Sequence, residues 1–140
     1  MKIAEVMTSD VMTCRRDDTL ADCATMMKEL NVGVAPVVDE DENLIGVITD
    51  RDIAIRAVAK GADPKTEAVG GFMSPSPITI EPDTNVEDAA DIMADAQVRR
   101  LPVVQDGKMV GIVSLGDLAV DVGEAGMLAE ALERISVPVR

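Results

Sequence analysis

The chain has 140 residues, a formal net charge of −13, no histidine and a single aromatic residue, Phe72. An acidic surface repels phosphate backbones and anionic lipid, and one ring cannot stack on successive bases, so we expect neither a nucleic-acid nor a membrane partner. Apolar residues make up 47% of the chain, enough for a buried core. The chain shows no secretion signal and no apolar run near the ~20 residues of a membrane span, so we expect a cytoplasmic protein.

The composition also argues against catalysis and metal binding. Without histidine, the chain lacks the usual acid–base residue near neutral pH and the commonest transition-metal ligand. Two cysteines are too few for a four-cysteine zinc site or a disulfide framework. We expect Cys23 to be a buried, inert thiol and Cys14 to be partly exposed, with a redox role only as a minor alternative. The acidic run at 39–42 lacks the spacing of a calcium loop, so we expect no metal site and no enzyme.

The first half of the chain predicts alternating strands and helices. Apolar residues at helical spacing predict a helix over 20–30, with Asp18 and Thr19 as capping residues. Two continuous apolar runs around a turn at 39–43 predict a buried hairpin. In order, the predicted elements are a short helix near 3–7, a strand at 11–14, the helix at 20–30, strands at 35–38 and 44–48, and a helix at 53–58.

The second half repeats the first. A shift of 66 residues superposes Pro36 on Pro102, and after one residue is lost in the hairpin turn a shift of 65 superposes Gly46 on Gly111. These glycines indicate a close backbone approach, and Asp-Gly at 106–107 predicts a tight hairpin turn. We assign residues 1–66 to the first repeat with its linker and 67–140 to the second repeat with a C-terminal helix. The later elements are strands at 78–80, 101–104 and 109–113, helices at 86–93 and 115–122, and an amphipathic tail helix at 124–136.

Each repeat passes from strand to helix through a hydroxyl residue, two intervening residues and an aspartate. The first joint runs from Thr49 to Asp52 and the second joint from Ser114 to Asp117. In one interpretation the joint is a capping box, in which hydroxyl and carboxylate each accept a backbone N–H. In the other, the helix N-terminus and the hydroxyl bind phosphate while the carboxylate accepts from the hydroxyls of a ribose. The residues alone leave both open.

Two adjacent arginines, Arg99 and Arg100, precede a buried strand of the second repeat. They form either surface salt bridges with nearby acids or a clamp for an anion such as phosphate, which guanidinium binds in a fork. The first repeat has Gly33 and Val34 at the corresponding positions. Any clamp is therefore confined to one repeat.

These motifs resemble a tandem pair of cystathionine-β-synthase (CBS) domains of the small stand-alone bacterial and archaeal type. The resemblance lies in the order, spacing and duplication of an apolar-Pro-Val-Val strand and a glycine-containing strand that ends in the joint. It implies an α/β (α+β) fold of two pseudo-twofold-related strand-helix-strand-strand-helix repeats packed sheet to sheet, and a homodimer. The motifs are Ala35-Pro36-Val37-Val38 with Gly46-Val47-Ile48-Thr49-Asp50-Arg51-Asp52, and Leu101-Pro102-Val103-Val104 with Gly111-Ile112-Val113-Ser114-Leu115-Gly116-Asp117.

The resemblance also implies two clefts for adenine nucleotides, each drawing residues from both repeats. The hydroxyl residue of the joint would contact phosphate and the aspartate would contact ribose. Because Gly33 and Val34 replace the arginines beside the first joint, we expect the second-joint cleft to be the better site. The implied contacts are Ser114, Asp117, Ile112, Arg99, Arg100, Thr13, Val32 and Gly33 in the second-joint cleft, and Thr49, Asp52, Val47, Thr79 and Val98 in the first-joint cleft.

We therefore expect a non-catalytic regulatory module that binds AMP, ADP or ATP and signals to an unidentified protein target. No cofactor is expected, and Mg²⁺ would enter only with ATP. The alternative is a structural or protein-interaction dimer with empty clefts, in which the joints only cap helices.

Overall fold

The computed structural model describes residues 1–122 and 132–135, and the chain divides into two compact units. The first unit comprises residues 12–77 and 107–109, and the second comprises 1–11, 78–106 and the described residues from 110 onward. Most of the predicted tail helix lies outside the described residues, although 132–135 are helical. No helix in the described part of the chain is both long and apolar enough to cross a membrane.

The first unit is a four-stranded sheet covered by helix α1. The sheet order is β1-β2-β3-β4, with β1 parallel to β2 and the other neighbours antiparallel. Helix α1 buries Leu20, Cys23 and Met27, which recur every three or four residues. Thr19 caps the helix by accepting the N–H of Asp22 at 3.1 Å. The elements are β1 Cys14–Arg15, α1 Leu20–Leu30, β2 Val34–Val38, β3 Leu44–Thr49, a π-helix Asp52–Ala57, 3₁₀ turns Val58–Lys60 and Val69–Gly71, and β4 Ser74–Pro75.

The second unit repeats this plan with a two-stranded sheet. Asp106 and Gly107 both adopt positive φ at the tight turn between its strands, as Asp-Gly predicts. Helices α2 and α3 cover a core that also includes Ile3 and Val6 from the N-terminal segment. The elements are a 3₁₀ turn Ile3–Glu5, α2 Val86–Ala96, β5 Arg100–Gln105, β6 Lys108–Ser114 and α3 Leu115–Val122.

Close backbone contacts at two glycines attach a distant segment of the chain to each sheet. A methyl group built on Gly46 would lie 2.8 Å from the carbonyl oxygen of Ser74, and one on Gly111 would lie 2.9 Å from that of Thr8. The predicted close approach is thus confirmed at both positions. Thr8 and Ser74 are 66 residues apart, which is the repeat shift, so they occupy equivalent positions at the start of the two repeats. The start of each repeat therefore lies on the hairpin of the other repeat. The compact units therefore do not divide the chain between residues 66 and 67, where the sequence repeats were separated. The first unit runs on to residue 77.

Three short elements differ from those predicted. The predicted strand at 11–14 is only two residues, and the one at 78–80 is a single bridge between Ile80 and Val103. The helix predicted at 53–58 is a π-helix that gives way to a 3₁₀ turn. Its apolar spacing identifies a helix, but the local pattern does not distinguish i→i+5 from i→i+4 hydrogen bonding. The longer elements at 20–30, 44–48 and 115–122 form where the sequence predicts them.

Gly46→Ala is expected to destabilise the protein by about 1–3 kcal/mol, because the added methyl group meets backbone oxygen and cannot be accommodated by a side-chain rotation. Urea unfolding measures the change. Gly71→Ala is the matched control, since a methyl group there has no atom within 4 Å. Equal stability of the two variants would contradict a close contact at Gly46.

Candidate functional site at the second joint

The second joint is a reciprocal capping box at the start of α3. The backbone N–H of Ser114 donates to Asp117 Oδ2 at 2.9 Å, and that of Asp117 donates to Ser114 Oγ at 3.1 Å. The first joint has the same pair of bonds between Thr49 and Asp52, at 2.9 and 3.0 Å. The capping interpretation is therefore confirmed in both repeats.

The capping box leaves polar atoms available at the second joint. It uses the Ser114 oxygen as an acceptor and leaves the hydroxyl hydrogen to donate. It uses Oδ2 of Asp117, and no described residue donates to or pairs with Oδ1. At the first joint, by contrast, Oδ1 of Asp52 lies 4.0 Å from Nη1 of Arg56. Capping and ligand binding are thus compatible at Ser114 and Asp117.

A pocket of about 430 Å³ opens beside the second joint. The N–H of Leu115 donates to the carbonyl oxygen of Arg99 at 2.8 Å, which fixes the start of β5 against the start of α3. Both arginines are exposed, and within the described part of the chain neither forms a salt bridge. Two guanidinium groups therefore lie beside a helix N-terminus, an arrangement that favours an anion. The lining residues are Arg99, Arg100, Ser114, Leu115, Gly116, Ala119 and Leu132.

The first joint has the same backbone arrangement with the opposite charge. The N–H of Asp50 donates to the carbonyl oxygen of Gly33 at 2.9 Å, just as Leu115 donates to Arg99. Here Gly33 and Val34 stand in place of the arginines, and Asp50 stands in place of Leu115. The Asp50 carboxylate lies against Gly33, where a methyl group would be 3.2 Å from Oδ2. A negative charge thus occupies the position where the second joint presents arginine.

The remaining predicted contacts are divided between the units. Ile112 is half-buried and pairs with Thr8, and Val47 is half-buried and pairs with Ser74. Residues Thr13, Val32 and Gly33 belong to the first unit, and Thr79 and Val98 belong to the second. The structure brings together Arg99, Arg100, Ser114 and Asp117 within one unit, and the cross-repeat contacts stay a prediction.

The two cysteines are close together, which their separation in the sequence did not suggest. Cys14 Sγ lies 3.0 Å from Cys23 Sγ, and both residues are buried, so the expected partial exposure of Cys14 is wrong. The hydrogen bond from Cys14 lowers the pKa of Cys23, and the same contact raises the pKa of Cys14. The available signal was positional: Cys14 begins the short strand that precedes α1, and Cys23 lies on the buried face of α1.

The acidic hairpin tip is a turn stabilised by its own side chain. Asp39 Oδ1 accepts the backbone N–H groups of Asn43 and Asp41, each at 2.9 Å. The bond from Asn43 is the main cause that lowers the pKa of Asp39. No group of three or more potential metal ligands occurs among the described residues.

A family model described as "CBS domain" matches residues 3–58 and 69–123. The chain therefore belongs to the CBS domain family and carries two copies of the domain, so the family predicted from the motifs is confirmed, as is the mixed α/β fold. Proteins of this family are generally regulatory and non-catalytic. The CBS domain-containing protein YhcV of Bacillus subtilis is 42% identical over 134 residues, which cover 96% of this chain and 94% of that protein.

Solved structures of CBS pairs have the same fold. The CBS domain pair of protein MJ0100, in complex with 5′-methylthioadenosine and S-adenosyl-L-methionine, matches with a TM-score of 0.76 and 27% identity, covering 88% of this chain and 96% of that one. CBSX2 in complex with AMP matches with a TM-score of 0.76 and 28% identity, covering 89% and 98%. Each of these similar chains binds a ligand that contains adenosine.

Proposed function

We propose that this protein is a non-catalytic regulatory module that binds an adenine nucleotide at the second joint. The observation that carries the proposal is the pair of arginines, without salt bridges to described residues, that lines a pocket at the N-terminus of α3. In a chain of net charge −13, this pocket concentrates positive charge. The adenosine-containing ligands of two similar structures support adenine as the base.

Each polar group of the site has a role that its free atoms permit. Arg99 and Arg100 bind the phosphate, and the Ser114 hydroxyl donates its hydrogen to a phosphate oxygen. Oδ1 of Asp117 accepts from the ribose hydroxyls while Oδ2 continues to cap α3. Ile112 is the proposed apolar contact for the base, and the predicted contacts from Thr13, Val32 and Gly33 are carried by the family resemblance alone.

The first joint is proposed to bind phosphate weakly or not at all. Asp50 would repel a phosphate, and no arginine takes the place of Arg99 or Arg100 there. Arg56 already lies near the free oxygen of Asp52. The first-joint cleft therefore favours a ligand without phosphate. Its predicted contact residues are Thr49, Asp52, Val47, Thr79 and Val98.

Asp117→Asn is expected to weaken nucleotide binding about tenfold or more, because a hydrogen bond to a charged acceptor is lost. Titration calorimetry of the full chain with AMP, ADP and ATP, the last with and without Mg²⁺, measures the affinity. Asp52→Asn is the matched control: it alters an equivalent capping box, so it should cost similar stability, about 1 kcal/mol, without changing the affinity. Wild-type affinity in Asp117→Asn would refute the assignment.

Comparing the affinities for adenosine and AMP separates the contribution of the arginines to binding from that of the rest of the site. AMP should bind more tightly than adenosine to the wild type, and Arg99→Gln/Arg100→Gln should remove that difference.

The second candidate function is a structural or protein-interaction module with empty clefts. It is favoured by the capping boxes, which are complete at both joints without a ligand. It predicts no heat in the titrations and no nucleotide-dependent rise in melting temperature, whereas binding would raise the melting temperature through linkage.

We further propose that the cytoplasmic form is a homodimer that reports nucleotide binding to an unidentified protein target. Leu30, Ile55 and Val58 of the first unit are 47%, 50% and 54% exposed, which is high for large apolar side chains. If these three side chains form the dimer contact surface, Ile55→Asp should yield a monomer in sedimentation equilibrium. Ile78→Asp, at a side chain 53% exposed in the second unit, should leave the dimer intact. A dimeric Ile55→Asp variant would exclude this surface.

A further inference from the structure

Cys14 and Cys23 form a buried pair that the proposed nucleotide site does not use. Cys14 on β1 is 3% exposed and Cys23 on α1 is 1% exposed, with their sulfur atoms 3.0 Å apart. They are the only cysteines of the chain. Two thiols in contact, without any other thiol to compete, can react only with each other or with an external reagent.

The separation of the two sulfur atoms is little longer than a disulfide bond. A disulfide bond is about 2.05 Å long, so the sulfur atoms need to approach by only about 1 Å. Helix α1 is held by its cap at Thr19 and by its buried face. Strand β1 has only two residues, and residues 9–13 before it have no regular structure. The approach can therefore come from a small shift of Cys14 toward the helix.

The two thiols are not equivalent. Cys23 lies in the first turn of α1, four residues after the capping residue Thr19, where the positive end of the helix dipole favours a thiolate. The S–H of Cys14 donates to its sulfur and further lowers the pKa of Cys23, against the opposing effects of burial and of Asp18. Cys23 is thus the better nucleophile, and Cys14 is placed to resolve the product.

We propose that Cys14 and Cys23 are a reversible redox pair that a hydroperoxide converts to an intramolecular disulfide. The Cys23 thiolate attacks the O–O bond, which breaks to give a Cys23 sulfenic acid and, for hydrogen peroxide, one water after proton uptake. The sulfur of Cys14 then attacks the Cys23 sulfur, a second water leaves, and the S–S bond forms. Two thiols are oxidised by two electrons and one peroxide is reduced to two waters. Burial means that the oxidant must be small and enter by local opening of the segment before β1.

The test uses the reduced full chain treated with hydrogen peroxide, quenched by alkylation and measured by intact-mass spectrometry. The expected product is lighter than the reduced chain by about 2 Da before alkylation, takes up no alkylating agent, runs as a single chain on a non-reducing gel and reverts with dithiothreitol. The melting temperature of the oxidised chain should rise by about 5 °C, because the bond constrains the unfolded chain.

Two single variants test the order of the steps. In Cys14→Ala the Cys23 sulfenic acid has no resolving thiol, so dimedone should trap it, whereas Cys23→Ala should give little adduct at the same peroxide dose. Both thiols remaining free in the wild type after peroxide, or oxidation that yields only sulfinic acid or an intermolecular disulfide, would overturn the proposal. None of these readouts depends on nucleotide binding.

Discussion

The pair of hydrogen bonds between Ser114 and Asp117 determines where α3 begins and holds Ser114 in the wall of the pocket. Each residue satisfies a backbone N–H of the other, so neither side chain can rotate away without leaving a donor unpaired. In the proposed site, this structural requirement would also preorganise polar groups that the ligand uses.

The two repeats carry different charges beside equivalent joints. They share single backbone hydrogen bonds, such as Leu115 to Arg99 and Asp50 to Gly33, although a π-helix follows the first joint and an α-helix the second. Arginines line the pocket beside the second joint, and a carboxylate lies against the glycine beside the first. Because Coulomb interactions act over several ångströms, these few substitutions would be enough to produce the proposed difference in phosphate binding.

Much of this arrangement follows from the sequence, and the exceptions have physical causes. Helical spacing and the capping residues predict α1 because they depend on residues that are near in sequence. Gly46 and Gly111 predict a close backbone approach because a strand glycine leaves room for another segment. The repeated motifs are enough to predict the family and the positions of the two joints. What local patterns cannot show is which distant segment fills the space beside a glycine, so the crossing of the compact units was not predicted. The π-helical hydrogen bonding was missed because the apolar spacing fits either helix type. The contact between Cys14 and Cys23 was missed because it joins the strand β1 to the helix α1.

The most direct test of the account is a crystal structure of the chain grown with AMP. We expect density for the phosphate within hydrogen-bond distance of Ser114 Oγ and the guanidinium groups of Arg99 and Arg100, with the ribose hydroxyls on Asp117 Oδ1 and the capping bonds of α3 intact. AMP bound instead beside Asp50 and Asp52, or an empty pocket at the second joint at saturating AMP, would contradict it.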